Sequence, residues 1–226
     1  MVVIGIIAIL IALLLPTLSI AREHAKQIKC AAQLHSLGQA FANYAVAFKG
    51  AYPACSSWQV YGGDGTGDDE PGPGWTEELE PYYAKAATGV FHCPSWEDPT
   101  LINYFIETRW LILNHKPLVW HVGEIPLSAN FVLAGECSND FLYVPPNGTN
   151  SFFTHDDCDK DSGALNNLPF FGEENGRNVH RGGNNVLFAD FHVATFRKFE
   201  PTSMTFHPSK PGVSWYELTD EREQQQ

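Results

Sequence analysis

Residues 1–21 read Met-Val-Val-Ile-Gly-Ile-Ile-Ala-Ile-Leu-Ile-Ala-Leu-Leu-Leu-Pro-Thr-Leu-Ser-Ile-Ala, without one charged side chain. At a helical rise of about 1.5 Å per residue, about twenty such residues extend roughly 30 Å, the thickness of a bilayer's hydrocarbon core. Only Gly5, Pro16, Thr17 and Ser19 interrupt the apolar surface. A proline is tolerated in a membrane helix because the carbonyl it frees finds other partners, so Pro16 predicts a kink rather than an end. Outward from this stretch the pattern changes period instead of stopping. Leu34, Leu37, Phe41, Tyr44 and Phe48 recur at steps of three and four, and Arg22, Glu23, Lys26, Gln27, Lys29, Gln33 and Gln39 fill the remaining surface. The sequence therefore predicts one helix over 1–50, apolar all round at the front and one-sided at the back. It is closed by Lys49-Gly50 and Tyr52-Pro53.

Two other origins for such a segment are weaker. A cleavable secretory signal is also apolar, and Ser19-Ile20-Ala21 has the small-x-small form of a cleavage site, but a basic region should precede it and none does. A buried helix of a soluble domain seldom runs apolar for this long.

The string from Val2 to Pro16 resembles the hydrophobic N-terminal helix of type IV pilins and of type II secretion pseudopilins of the G-like kind. Ala21-Arg22-Glu23, Cys30, Leu34, Leu37-Gly38, Tyr44 and Tyr52-Pro53 are similar to a large pilin-like subfamily of unknown function. That subfamily ends in a His, nine residues and Asp-Gly, and His180 and Asp190 stand here at that spacing. The likeness covers the first fifty or so residues and the stretch 178–196; between them little matches beyond Cys93-Pro94-Ser95. It implies a structural subunit rather than an enzyme, with the assembly and membrane surface at Val3, Ile4, Gly5, Ile7, Leu10, Leu14 and Pro16. Its implied partners are sibling pilin or pseudopilin subunits and membrane lipid. Family members carry a basic leader, a Gly at the peptidase site and a Phe-Thr-Leu-x-Glu start before the Val-Val-Ile-Gly. Met1 here stands in a Leu slot, so the expectation is a start assigned at an internal codon, or a truncated chain. The family places its head outside the inner membrane as a single-pass protein. Arg22, Lys26 and Lys29 against Glu23 alone would place it in the cytoplasm, but that rule needs both flanks, and the family orientation is the expectation.

The chain beyond Ala51, about 170 residues, is long enough for one domain with its own core. Its short β-prone runs between Gly, Pro and aromatic residues predict antiparallel sheet, with candidate strands at 89–92, 117–121, 130–134, 141–144, 185–189 and 193–199. The stretch 101–113 fits helix or strand. Residues 64–74 and 147–163 read as loops and 217–226 as a frayed polar tail. The predicted class is α+β: an N-terminal membrane or filament helix (1–50), a globular head with antiparallel sheet (51–216) and the tail. Gly62-Gly63-Asp64-Gly65 lacks the strand, Lys and helix of a phosphate loop. A net charge of −12, with only 14 Lys and Arg, argues against nucleic acid as a partner.

Near the C-terminus, 186–189 and 193–196 flank Asp190-Phe191-His192 and predict a hairpin. The family's Asp-Gly supplies positive φ at that turn; with Phe191 in the Gly slot, a three-residue loop with His192 in the left-handed position is expected, and His180 within hydrogen-bonding reach. His180, Asp190 and His192 also suggest a His-Asp-His metal set, as in a membrane-tethered hydrolase, the opposing functional class; the turn breaks the needed alternation, and no His-Glu-x-x-His occurs. No cofactor is expected beyond calcium, for which Asp157, Asp159 and Asp161 alternate as oxygen ligands do. Gly163 comes one residue late for an EF-hand, and Leu168 stands where the bidentate Glu belongs, so a solvated acidic loop fits better. Asp64, Asp68, Asp69 and Glu70 have still less pattern.

Cys30, Cys55, Cys93, Cys137 and Cys158 are disulfide candidates for an outside-facing head, with the pairing open. The absence of Cys-x-x-Cys argues against zinc and thioredoxin-like chemistry. Trp58, Trp75, Trp96, Trp110, Trp120 and Trp215 suit core packing before a sugar-binding platform.

Overall fold

The computed structural model describes residues 2–53, 75–83, 90–95, 104–107, 111, 114, 119–136, 179–214 and 217–218. It is α+β, a long N-terminal helix followed by a four-stranded antiparallel sheet.

Helix α1 (Val2–Ala47) runs unbroken through Pro16. Next to the proline, the Thr17 hydroxyl donates back to the Leu14 carbonyl at 2.8 Å, which satisfies the hydroxyl within the apolar stretch. The helix ends where Lys49 and Gly50 both take positive φ, 57° and 92°, and the Gly50 amide caps the Ala45 carbonyl. Residues 2–22 are exposed on every side. Burial starts at Cys30 and follows the three-four spacing through Leu34, Leu37, Gly38, Phe41, Tyr44 and Ala45, whereas Phe48, expected in that stripe, lies half-exposed past the helix end.

The strands β1 (Tyr104–Ile106), β2 (Val132–Glu136), β3 (Asn184–Phe188) and β4 (Val193–Phe196) pair in chain order, all antiparallel. A register shift between Val132 and Ala134 puts a bulge where β2 meets β3. Successive residues point to opposite faces of the sheet, and both faces are covered. Tyr104, Ile106, Ala134 and Leu187 join the core beneath α1, while Phe105, Val132, Val186 and Phe188 pack with Met204, Phe206 and Leu218 from the chain's end. A short helix α2 (Trp75–Leu79) closes the α1 side, with Trp75 stacked on Phe41 at 5.9 Å and edge-on to Phe91 at 5.4 Å. Trp75 and Trp120 are therefore core; the other four tryptophans lie outside the described residues.

Several expectations are corrected. Residues 90–91 form a turn, not a strand, and of 117–121 the described part makes only one bridge, His121 to Ala51. The second strand sits two residues later than 130–134, and the ambiguous 101–113 stretch supplies β1. Leu218, assigned by its polar neighbours to the tail, is buried against the outer face of the sheet. The β3–β4 connection, 189–192, holds a three-residue loop at 189–191 and not at 190–192, so that Phe191, not His192, takes the left-handed position, at φ 71°. Its amide bonds the Phe188 carbonyl and the Phe188 amide bonds the His192 carbonyl, a type I turn followed by a bulge residue. Packing offsets the strain: Phe191 lies against Gly38 and edge-on to Tyr52. The candidate strand 141–144 and both predicted acidic loops lie outside the described residues.

Candidate functional site

Two features of the described residues stand apart from ordinary core and surface. The first is the front half of α1. Val3, Ile4, Ile7, Leu10 and Leu14 are each at least half exposed, as are their apolar neighbours, and nothing meets a side chain built at Gly5. Among the described residues this is one helix, near the N-terminus, long and apolar enough to cross a membrane. Monomeric soluble proteins rarely expose a contiguous apolar patch beyond a few hundred Å². A rod apolar on all sides has a lower free energy in lipid, or among similar rods, than in water.

The second is a buried polar cluster where α1 meets the sheet. Cys30 comes from the back half of α1, Cys93 from the turn-rich segment after residue 90, Glu136 from the last position of β2, and His180 from the bridge that opens β3. One ligand atom from each lies within 4.8 Å of all the others, and all four residues are buried. The bridge sets the histidine. His180 and Gly183 exchange backbone hydrogen bonds, and Gly183, at φ 129°, passes so close to the Phe196 carbonyl that no Cβ would fit.

His180 turns Nε2 toward both Glu136 Oε1, at 2.9 Å, and Cys93 Sγ, at 3.6 Å; its other nitrogen, Nδ1, lies 3.1 Å from Ser95 Oγ. Glu136 is held from behind. Its Oε2 accepts from the Asn185 amide at 2.7 Å and its Oε1 from Asn185 Nδ2 at 3.0 Å. Asn185 is fixed in turn by the Thr195 hydroxyl, which donates to Oδ1 at 2.6 Å, and by donating Nδ2 to the Gln27 carbonyl.

Burial alone would push the His180 imidazolium down, but its hydrogen bonds to Cys93 and Glu136 and their charges outweigh that and lift it to about 9. Cys93 moves the other way, to about 6, drawn down by the hydrogen bond from Cys30 against the cost of burial, with His180 assisting. Cys30, whose proton serves that bond, is driven up by it and by burial. Cys30 and Cys93 thus titrate as one pair, with the His180 imidazole beside them.

Of the residues singled out in the sequence, His180 joins this cluster, while Asp190 and His192 do not accompany it. They pair with each other at the half-exposed hairpin tip, Nδ1 to Oδ1 at 2.5 Å, with the His192 ring stacked on Phe188. Cys30 and Cys93 are present as thiols. Cys55, Cys137, Cys158, Asp157, Asp159 and Asp161 lie outside the described residues. Sequence reasoning passed over Glu136, because a Glu at a strand end carries no motif; the one available signal was an acid closing the apolar run Phe131-Val132-Leu133-Ala134-Gly135.

Compared with protein-family models, with curated proteins and with solved structures, the chain matches none.

Proposed function

We propose that the chain is a pilin-like structural subunit, held in the inner membrane by the front half of α1 and assembled through that same surface with sibling subunits into a type IV pilus or a type II secretion pseudopilus. One observation carries this reading: an apolar rod, exposed on every side over residues 2–21, passes without a break into a segment of the same helix that forms part of the head's core. A cleavable anchor has no need of that continuity. A subunit that must transmit its position in a fibre to a rigid head does, because a continuous helix couples the two ends. The resemblance of Val2 to Pro16 to the pilin helix, and the α+β architecture behind it, support the same reading. The head then faces outward, away from the cytoplasm.

A photo-crosslinking amino acid at Leu10 or Leu14 of the full-length chain, expressed in a host with the assembly machinery, tests it. Adducts between copies or with like subunits are expected, and they should vanish when the machinery is absent. Adducts to lipid alone under both conditions would refute assembly through this surface. A C-terminal reporter active only in the cytoplasm would refute the orientation.

A further inference from the structure

We propose that Cys30, Cys93, Glu136 and His180 bind one zinc ion, in a closed structural site that ties α1 to the sheet. The inference does not depend on the assembly reading.

Four kinds of observation converge. The donor set is two thiols, one imidazole and one carboxylate, all of them zinc ligands, and the mixture of sulfur, nitrogen and oxygen suits zinc rather than the hard cations calcium and magnesium. The spacing fits. Ligands at about 2.0–2.3 Å from a tetrahedral ion stand about 3.3–3.8 Å from one another. Here Cys93 Sγ and His180 Nε2 are 3.6 Å apart, His180 Nε2 and Glu136 Oε1 are 2.9 Å apart, and no pair exceeds 4.8 Å. Shifts of about 1 Å or less bring all four to that geometry.

The outer partners are those that metal ligands need. Nε2 faces the cluster while Nδ1 meets the Ser95 hydroxyl, which fixes the ring and leaves Nε2 as the ligand atom. The Glu136 carboxylate is oriented by the Asn185 amide and side chain. Finally, burying a carboxylate, an imidazole and two thiols together, from four separate segments, is costly unless something compensates them. Two thiolates and a carboxylate around a divalent ion leave a single net charge, with the Asn185 N–H groups directed at it. On binding, the Cys30 thiol proton and the proton on His180 Nε2 pass to solvent, so that both sulfurs and the ring nitrogen are free to ligate.

The same residues do not make a nucleophilic triad. Such a triad places the thiol on one ring nitrogen and the orienting acid on the other. Here both Cys93 and Glu136 address Nε2, and neither the Glu136 nor the His180 side chain has any exposure through which a substrate could reach it. Because the ligands are scattered at 30, 93, 136 and 180, no Cys-x-x-Cys announces them, which revises the sequence argument against zinc.

The test uses the full-length chain purified in detergent without chelators. One zinc per chain is expected by elemental analysis, retained through gel filtration. After exchange for cobalt(II), the strong visible bands of a tetrahedral ion and a near-ultraviolet thiolate charge-transfer band are expected. Cys93→Ser and His180→Gln should lose the bound zinc. Asn185→Ala, which leaves all four ligands in place, should weaken zinc affinity about 10–100-fold. Should the ligand variants unfold, the unsubstituted chain still decides. A natively folded chain with no zinc and no cobalt bands would overturn the proposal. So would an octahedral cobalt spectrum without thiolate charge transfer, or a Cys30–Cys93 disulfide in peptide maps of protein isolated with zinc present.

Discussion

Replacing Leu10 and Leu14 by Asp tests the membrane role of α1 quantitatively. Both lie on the exposed front half, more than half exposed and without contact to the head, so the substitutions leave the core untouched. Val2 to Ala21 carries thirteen Val, Ile and Leu side chains. At about 0.3–0.6 kcal/mol each on the insertion scale, they favour the membrane by roughly 4–8 kcal/mol. An Asp at the centre of the span costs about 2.5–3.5 kcal/mol and forfeits the leucine it replaces, so each substitution removes about 3–4 kcal/mol. A single Leu10→Asp should weaken insertion and leave a measurable membrane-held fraction. The double variant loses about 6–8 kcal/mol, as much as the whole apolar gain, and should be released. The assay is alkaline carbonate extraction of membranes from cells expressing the full chain, with immunodetection of pellet and supernatant. If the unsubstituted chain is extracted by alkali, or the double variant pellets like the unsubstituted chain, the front of α1 is not a membrane span and the reasoning fails.

Three further substitutions probe the head, each read by chemical denaturation in detergent with tryptophan fluorescence. Phe41→Ala empties a fully buried ring that packs against Tyr52 and Trp75, and should cost about 3–5 kcal/mol; a loss below about 1 kcal/mol would show that α1 does not dock as described. Gly38→Leu forces a side chain where even a Cβ would lie 3.0 Å from Leu187 Cδ1 and 3.3 Å from Phe191 Cβ, and should cost about 1–3 kcal/mol despite leucine's better helix propensity. Tyr52→Phe separates two effects. Burial, then the charge of Asp190, raises the phenol from 10.0 to about 12, so its contribution is complete below pH 10 and is lost as pH rises through 12. The variant also loses the hydrogen bond to the Ala189 carbonyl. It should be about 1 kcal/mol less stable at neutral pH and yet lose less stability between pH 10 and 12; an unchanged alkaline profile would contradict the burial of that hydroxyl.

How much of this was legible in the sequence depended on how local the signal was. The length of α1, the change in its surface near residue 22 and its stop at Lys49-Gly50 follow from periodicity and backbone preference within a few residues, and the helix runs Val2–Ala47 before that positive-φ pair, three residues short of the expected end. The hairpin was legible in part: β3 lies one residue earlier than 185–189, and β4 starts at Val193 as expected but ends at Phe196 instead of 199. The loop length came from the flanking β runs, but which residue adopts positive φ was decided by tertiary contact. Phe191 accepts φ 71° where Gly38 leaves room for its Cβ and carbonyl and Tyr52 meets its ring edge-on, which propensity alone cannot anticipate. The cluster of Cys30, Cys93, Glu136 and His180 had no local signal. Three of its members were visible only in other roles, Cys30 and Cys93 as disulfide candidates and His180 beside Asp190 and His192, and their juxtaposition with Glu136 is a property of the sheet order and of where α1 crosses it.

That crossing has a structural consequence. Leu34, Leu37, Phe41 and Tyr44 of α1 lie in one core cluster with Tyr104, Ile106, Ala134 and Leu187 of the sheet, so the back half of the helix belongs to the head energetically although it is continuous with the rod in sequence. Covering the inner face of the sheet requires these side chains. Without them the buried aromatic set of Tyr52, Trp75 and Phe91 would lose its partner surface. The natural seam therefore falls between Arg22 and Lys26, where the helix has left its uncharged stretch but has not yet met the head. Its charged side chains there, including the Lys26–Glu23 pair at 3.0 Å, face water. Cys30, Gln27 and Gln33 stand at the head side of that seam. Gln27 accepts from Asn185, and Gln33 accepts from Tyr104 and donates to the His92 carbonyl. Polar contacts with fixed geometry, concentrated where the rod enters the head, set its rotation and register more narrowly than apolar packing would, since hydrogen bonds are directional and burial is not.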